Sequence, residues 1–142
     1  EDRHVPNLTV EENVKLVNKE ADVKKLLEEA NMSEKINEYP KNLSGGQSRR
    51  VSIIRALAFP SDVLLMDEPL TNLDLSLKFS VIETIKKEKG SRTVIFVTHD
   101  VKEAVTIADR IVIIDKGKII YDADRKDVNE DEIYDVLLKK NK

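Results

Sequence analysis

Along the first 59 residues the apolar positions recur at helical spacing. Val10, Val14, Val17 and Ala21 form one stripe and Leu16, Val23, Leu27 and Ala30 another, with charged residues on the remaining faces. The pattern predicts mostly helix over residues 8–59, broken over 31–41 where Ser33 and Pro40 interrupt it. A further helix is predicted from about Gly45 to Ala58, with Val51, Ile54 and Ala58 on its apolar side and Pro60 closing the region. From residue 62 the texture changes to short apolar runs: Val63-Leu64-Leu65-Met66, Val94-Ile95-Phe96-Val97 and Ile111-Val112-Ile113-Ile114. Runs of this kind read as strands buried on both faces of a parallel sheet. Between them helices are predicted over 75–89, ending in Lys86, Lys87, Lys89 and Gly90, and over 100–108, opened by the Asp100/Glu103 capping pattern. Asp115-Lys116-Gly117-Lys118 predicts a hairpin turn into Ile119-Ile120-Tyr121. Asn129 with Glu132 then caps a last helix ending in Lys139 and Lys140. The fold class is α/β, with a helical part at 1–60 and an α/β part at 61–142.

Composition narrows what such a chain does. Its 24 Lys+Arg against 27 Asp+Glu in 142 residues give a net charge of −3, which argues against a generic polyanion binder and hence against nucleic acid as a partner. No apolar run approaches the roughly 20 residues of a membrane-spanning helix, and the acidic Glu1-Asp2 has neither a basic nor an apolar leader pattern, so a soluble chain is expected. The absence of cysteine excludes disulfides, thiolate metal sites and thiol nucleophiles, and fits a cytosolic protein. Glycine is the most restrictive residue type, with only Gly45, Gly46, Gly90 and Gly117.

Four segments carry candidate chemistry. Leu43-Ser44-Gly45-Gly46-Gln47 opens the helix at 43–58, with Ser44 and Gln47 at capping-box spacing. Two glycines in a first helical turn cost about 1 kcal/mol each relative to alanine. An anion docked on the bare backbone N–H groups would offset that, because a side chain at 45 or 46 would block it. An ordinary cap after a flexible turn is the plain alternative. Val63 to Glu68 is an apolar strand ending in two carboxylates before Pro69. Ligands of open α/β sheets lie beyond the carboxyl ends of strands, so Asp67 is placed to hold Mg²⁺ and Glu68 to accept a proton from water. A strand ending in Asp-Glu is, taken alone, more often a polar loop. His99, at the end of the next apolar run, suits a phosphate contact or, in the plainer reading, a loop histidine satisfied by Asp100. Between the two strands, Asp74 caps the following helix and is available for a second role.

The four segments together resemble the later part of an ATP-binding cassette (ABC) ATPase, the nucleotide-hydrolysing subunit of ABC transporters. Leu43 to Gln47 matches the signature motif, Val63 to Glu68 the Walker B motif, Thr71 to Asp74 the D-loop and His99 the switch histidine. The resemblance implies that Asp67 binds Mg²⁺, that Glu68 is the general base on the hydrolytic water and that His99 contacts the γ-phosphate of ATP. It implies that two such domains pair head to tail, with Ser44, Gly45, Gly46 and Gln47 touching the ATP of the partner and Asp74 at the dimer contact. The helical part, 1–60, is then the signature subdomain that meets membrane-spanning subunits, on the cytoplasmic face of the cell membrane. The opening Glu1 to Val14 is similar to the segment that follows the Q-loop glutamine in importers of the nitrate, sulfonate and taurine group.

One element of that family is missing. A P-loop needs G-x-x-x-x-G-K-[ST] to cradle and neutralise phosphates. The sole Gly-Lys pair, Gly117-Lys118, has Ile119 in place of Ser or Thr and Val112 in place of the first glycine. The expectation is therefore an incomplete P-loop NTPase fold: a fragment or truncated product whose parallel-sheet half lacks the P-loop strand, with little ATPase activity alone and an exposed edge prone to self-association. The alternative is a non-catalytic module that docks on a membrane subunit or lends its signature to a complete partner. A DNA-repair type of ABC ATPase is disfavoured, since no coiled-coil insertion precedes Leu43.

Overall fold

The computed structural model describes residues 4–139. Glu1, Asp2 and Arg3 of the opening segment, and Lys140 of the basic helix end, lie outside the described residues. The chain divides into two compact units, the first ending at Ile95 and the second beginning at Phe96.

In the first unit, helix α1 (Val10–Lys15) opens with a reciprocal capping box. The Glu12 N–H donates to Thr9 Oγ1 at 3.2 Å and the Thr9 N–H to Glu12 Oε2 at 2.8 Å. Asn13, fully buried, donates from Nδ2 to the carbonyls of Val5, Leu8 and Thr9 and accepts the Val5 N–H at 2.8 Å, so a polar side chain organises the entry to the helix. Helix α2 (Val23–Glu29) is capped by Asp22, whose side chain accepts the Lys25 N–H. Short 3-10 turns at Ser33–Lys35 and Pro40–Asn42 lead to helix α3 (Gly45–Ala58). Val10, Val14, Leu26, Leu27, Met32, Val51, Ile54 and Ala58 bury one core among these helices.

The helical stripe predicted through Val17 and Ala21 does not continue as helix: α1 stops at Lys15 and a turn runs to Asp22. Asn18 explains the stop, because its side chain accepts the Glu20 N–H at 3.0 Å and donates to the Ala58 carbonyl at 3.0 Å, giving the backbone another partner. Val17 and Ala21 still pack on the same core, partly buried, from outside a helix.

Strand β1 (Val63–Asp67), helix α4 (Leu75–Glu88) and strand β2 (Thr93–Val97) form a parallel β-α-β unit in which β1 and β2 are hydrogen-bonded neighbours. The Thr93 N–H donates to the Asp62 carbonyl at 3.0 Å. The strands are not covered on both faces as their composition predicts. Leu64 and Met66 are buried, whereas Val63 and Leu65 are 51% and 70% exposed, so among the described residues only one face of β1 is covered. Helix α4 joins the helical segment through Thr84 Oγ1, which donates to the Glu29 carbonyl at 2.9 Å, and through the ion pairs Lys25–Glu88 and Lys87–Glu29. That seam is why the first compact unit runs past residue 60, where the sequence changes texture, to Ile95.

The second unit holds helix α5 (Val101–Ile107), strands β3 (Arg110–Asp115) and β4 (Lys118–Asp124), and helix α6 (Glu130–Lys139). Strand β3, expected in a parallel sheet, pairs antiparallel with β4. Its partner is chosen by the turn: Lys116 and Gly117 both adopt positive φ, 45° and 77°, the geometry of a tight two-residue hairpin. Ile111, Ile113, Tyr121 and Ala123 face Val101, Val105, Val128 and Ile133 to form the core of this unit. Arg110 grips Asp122 across the hairpin through two bonds of 2.7 and 2.6 Å. Glu103, expected to complete the α5 capping box, is buried and accepts a 2.6 Å bond from Thr98 Oγ1. Asp100 does cap the helix, accepting the Lys102 and Glu103 N–H groups, and Asn129 accepts the Asp131 N–H at the start of α6.

Arg92 donates to the carbonyls of Leu57 and Phe59 at the end of α3, and to those of Glu88 and Lys89 at the end of α4. Arg92→Ala leaves these carbonyls without their shared cation and is expected to lower stability by about 1–3 kcal/mol. Arg92→Lys should recover part of the loss. Urea unfolding measures both, and an unchanged midpoint in the alanine variant would refute the assignment.

Hydrogen bonding and charge from Arg110 hold the Asp122 carboxyl below its ordinary value. A depressed folded value contributes stability above the unfolded value of about 3.9, lost as pH falls through the folded one. Carboxyl NMR should show Asp122 titrating below that reference, and Arg110→Ala should return it there.

Candidate functional site

The N-terminus of α3 is built by Ser44 and Gln47. The Gln47 N–H donates to Ser44 Oγ at 3.3 Å and the Ser44 N–H to Gln47 Oε1 at 2.9 Å, a complete capping box. With the third donor of the turn satisfied by the cap, the N–H groups of Gly45 and Gly46 are the ones that α3 itself leaves over. The two glycines differ in their surroundings. A Cβ on Gly46 would lie 3.3 Å from Leu73 Cδ2, a tight contact that would oblige the leucine to shift. A Cβ on Gly45 would meet nothing within 4 Å. Among the described residues no packing contact explains Gly45.

Strand β1 delivers the carboxylates. Buried Leu64 and Met66 anchor it, Asp67 is its exposed last residue, and Glu68 follows with a φ of 47°. A β-substituted residue in this left-handed region is strained, and such strain gathers at sites where a side chain must be aimed. Asn72, at φ 64°, is a second such position within five residues. The turn between them is closed locally: Thr71 donates through its N–H to the Glu68 carbonyl at 3.3 Å and through Oγ1 to Glu68 Oε2 at 3.4 Å, and the Leu73 N–H donates to the Leu70 carbonyl. Fully buried Leu70 and nearly buried Leu73 fasten the turn to the core. Asp74 caps α4, accepting the Leu77 N–H at 2.9 Å.

Within the first unit the Leu73–Gly46 contact thus brings the glycine turn against the loop that carries Asp74. Arg50, one turn into α3, is lowered from its ordinary pKa by burial, and Glu34 and Asp74 pull it the other way, so the charge of Asp74 reaches α3. Sequence reasoning passed over Arg50 and Leu73, since neither a lone arginine on a helix nor a leucine in a loop announces a contact. The Thr9-x-x-Glu12 capping box was open to detection by its spacing alone. His99 belongs to the second unit, where it is exposed between Thr98 and the capping Asp100.

Asp67 and Glu68 offer hard oxygen donors of the kind Mg²⁺ takes. That ion usually keeps several waters and binds through one or two carboxylates plus substrate phosphates, so a pair of this sort is a sufficient protein contribution. Among the described residues no cage of three or more His, Asp or Glu is formed.

The family model described as ABC transporter matches residues 1–71, half of the 142. The chain belongs to the ABC transporter family. Among curated relatives of this ABC chain, the Fe(3+) ions import ATP-binding protein FbpC of Fusobacterium nucleatum is 40% identical over 134 residues, covering 87% of the chain and 36% of that protein. The aliphatic sulfonates import ATP-binding protein SsuB of Zymomonas mobilis is 45% identical over 125 residues, covering 84% and 52%. The carnitine transport ATP-binding protein OpuCA of Listeria monocytogenes is 40% identical over 129 residues, covering 82% and 32%. The chain therefore spans about a third to a half of the length of these relatives. No helix among the described residues is long and apolar enough to cross a membrane.

Glu68→Gly removes the backbone strain at φ 47° at the expense of unfolded-state entropy and the Thr71 bond. Relief of about 1–2 kcal/mol against a glycine cost of about 1 predicts a variant at least as stable as the parent. A fall in unfolding free energy larger than about 1 kcal/mol would show that side-chain contacts outweigh the strain.

Proposed function

We propose that this chain is the signature-bearing part of the ATP-hydrolysing subunit of an ABC transporter, with 1–60 as its helical signature subdomain and 61–142 as the α/β part of an incomplete P-loop NTPase fold. The observation that carries the reading is Gly45: a glycine at the start of a helix, with open space where its side chain would be and a complete cap beside it. Ser44, Gly45, Gly46 and Gln47 present N–H groups and a hydroxyl to a phosphate of ATP held by a second ATP-binding subunit. Asp74 lies at the contact between the two. Asp67 holds Mg²⁺, which when bound neutralises phosphate charge, and Glu68 takes the proton of the attacking water. His99 contacts the γ-phosphate.

The relatives named above are ATP-binding proteins for iron, sulfonates and carnitine, cargoes with no chemistry in common. What this chain shares with them therefore serves the nucleotide and not the cargo, whose choice falls to other subunits; the chain itself docks on membrane-spanning partners at the cytoplasmic face of the membrane. A Walker A sequence is lacking from its 142 residues, so the chain alone is expected to hydrolyse little ATP, and the roles of Asp67, Glu68 and His99 are exercised only together with a P-loop. The short two-stranded sheet, whose β1 also leaves Val63 and Leu65 exposed on one face, supports self-association of the isolated chain through its exposed edge, which sedimentation at high concentration would detect.

The test is titration of the chain against a P-loop-containing ABC subunit with and without ATP. ATP-dependent pairing is the expected result, and its absence at every nucleotide concentration overturns the reading. Gly45→Ala separates folding from function. The substitution meets no clash and should stabilise the chain by up to about 1 kcal/mol, yet it should weaken ATP-dependent pairing by at least about tenfold, some 1.4 kcal/mol.

A further inference from the structure

Arg50 stands outside the signature residues, yet its guanidinium is wired to them. Nη1 donates to the carbonyl of Ala30 at 3.0 Å and of Asn31 at 3.4 Å, while Nε lies 3.4 Å from the carbonyl of Gly46. Ala30 is the C-terminal cap of α2, and Asn31 follows it with a φ of 52°. Asn31 in turn donates to Ser80 Oγ on α4 at 3.2 Å. One planar, multi-donor group thus links the first turn of α3 to the end of α2 and, through Asn31, to α4, a task for which a single ammonium has the wrong geometry.

The turn it reaches needs such a brace. Gly45 and Gly46 have no side chains to lock their own backbone, and glycine in a helix is conformationally loose. Leu73 closes on Gly46 from one side. On its carbonyl side Gly46 has Arg50, whose half-buried position places it within the field of Asp74. We infer that Arg50 is the positioning residue of the signature turn: by tying the Gly46 carbonyl, and with it the planar 46–47 peptide, to the end of α2 it restricts the backbone torsions of Gly46 and so steadies the Gly45 and Gly46 N–H groups just upstream. The inference rests on the proposed phosphate contact of those groups, and it adds that their steadiness depends on the packing of α2 and α4.

Four glycines in the chain make the test direct, because ¹⁵N-glycine labelling yields one amide signal for each. Arg50→Ala and Arg50→Lys should displace the Gly45 and Gly46 signals and speed their amide exchange about tenfold, leaving Gly90 and Gly117 unmoved as internal controls. Arg50→Lys keeps the charge and stem and decides the matter if the alanine variant does not fold. Unmoved Gly45 and Gly46, or equal changes at all four glycines, would overturn the inference; the latter marks a purely global effect. In the pairing assay, Arg50→Lys should weaken ATP-dependent association, whereas Thr84→Val, which removes a buried bond of the same seam, should lower stability alone. Equal pairing by Arg50→Lys and the parent also overturns it. If the parent chain does not pair at all, the signature reading fails while the glycine signals still decide what Arg50 does to the turn.

Discussion

One guanidinium sets the frame of the first unit. Arg92 receives the carboxyl ends of α3 and α4 together, through the carbonyls of Leu57, Phe59, Glu88 and Lys89. Helix ends leave carbonyls unsatisfied and carry partial negative charge, so a cation shared by two of them holds both at one point. Strand β1 departs shortly after the first of these ends and β2 immediately after Arg92, which places Asp62 and Thr93 side by side and starts the strand pairing. The far end of β1, where Asp67 and Glu68 emerge, is positioned by where β1 begins. Arg125 does similar work in the second unit, donating to the Val105 carbonyl of α5 and to the Val128 carbonyl.

From that frame the site follows by packing and strain. Leu70 and Leu73 bury themselves, and the backbone accepts two unfavourable left-handed residues, Glu68 just before the pair and Asn72 between them, to make the turn. Leu73 then meets Gly46, so a loop leucine, and not a polar residue, joins the strand end to the glycine turn. The polar residues are thereby relieved of structural duties other than capping. Ser44, Gln47 and Asp74 each cap a helix, and capping by backbone N–H leaves the rest of each side chain available.

Much of this was legible beforehand. The extent of α3, the three apolar strands, the hairpin turn at Lys116-Gly117 and the caps at Ser44, Asp74 and Asp100 follow from local rules, because capping and periodicity involve residues a few positions apart. Readings failed where a distant residue decided. Asn18 stops the first helical stripe through a bond to Ala58, forty positions away. Apolar runs record that a strand is made to be covered, but not which part of a protein covers it, and so β1 was read as buried on both faces although Leu65 is exposed here. Whether β3 joins a parallel sheet or a hairpin is a competition between pairings that composition does not rank.

The family is legible in the sequence alone, since Leu43–Gln47, Val63–Glu68, Thr71–Asp74 and His99 are local strings that resemble the family's motifs in their order, and so are the caps of α3, α4 and α5. Packing in three dimensions is what shows that a Cβ at Gly46 would crowd Leu73 while one at Gly45 would meet nothing, that Glu68 sits in a strained conformation, and that Arg50 and Arg92 bind helix ends. The reason is one of range. A cap is satisfied within four residues, but a Cβ clash, a positive φ held by buried leucines and a guanidinium shared between two helices exist only once distant segments have packed.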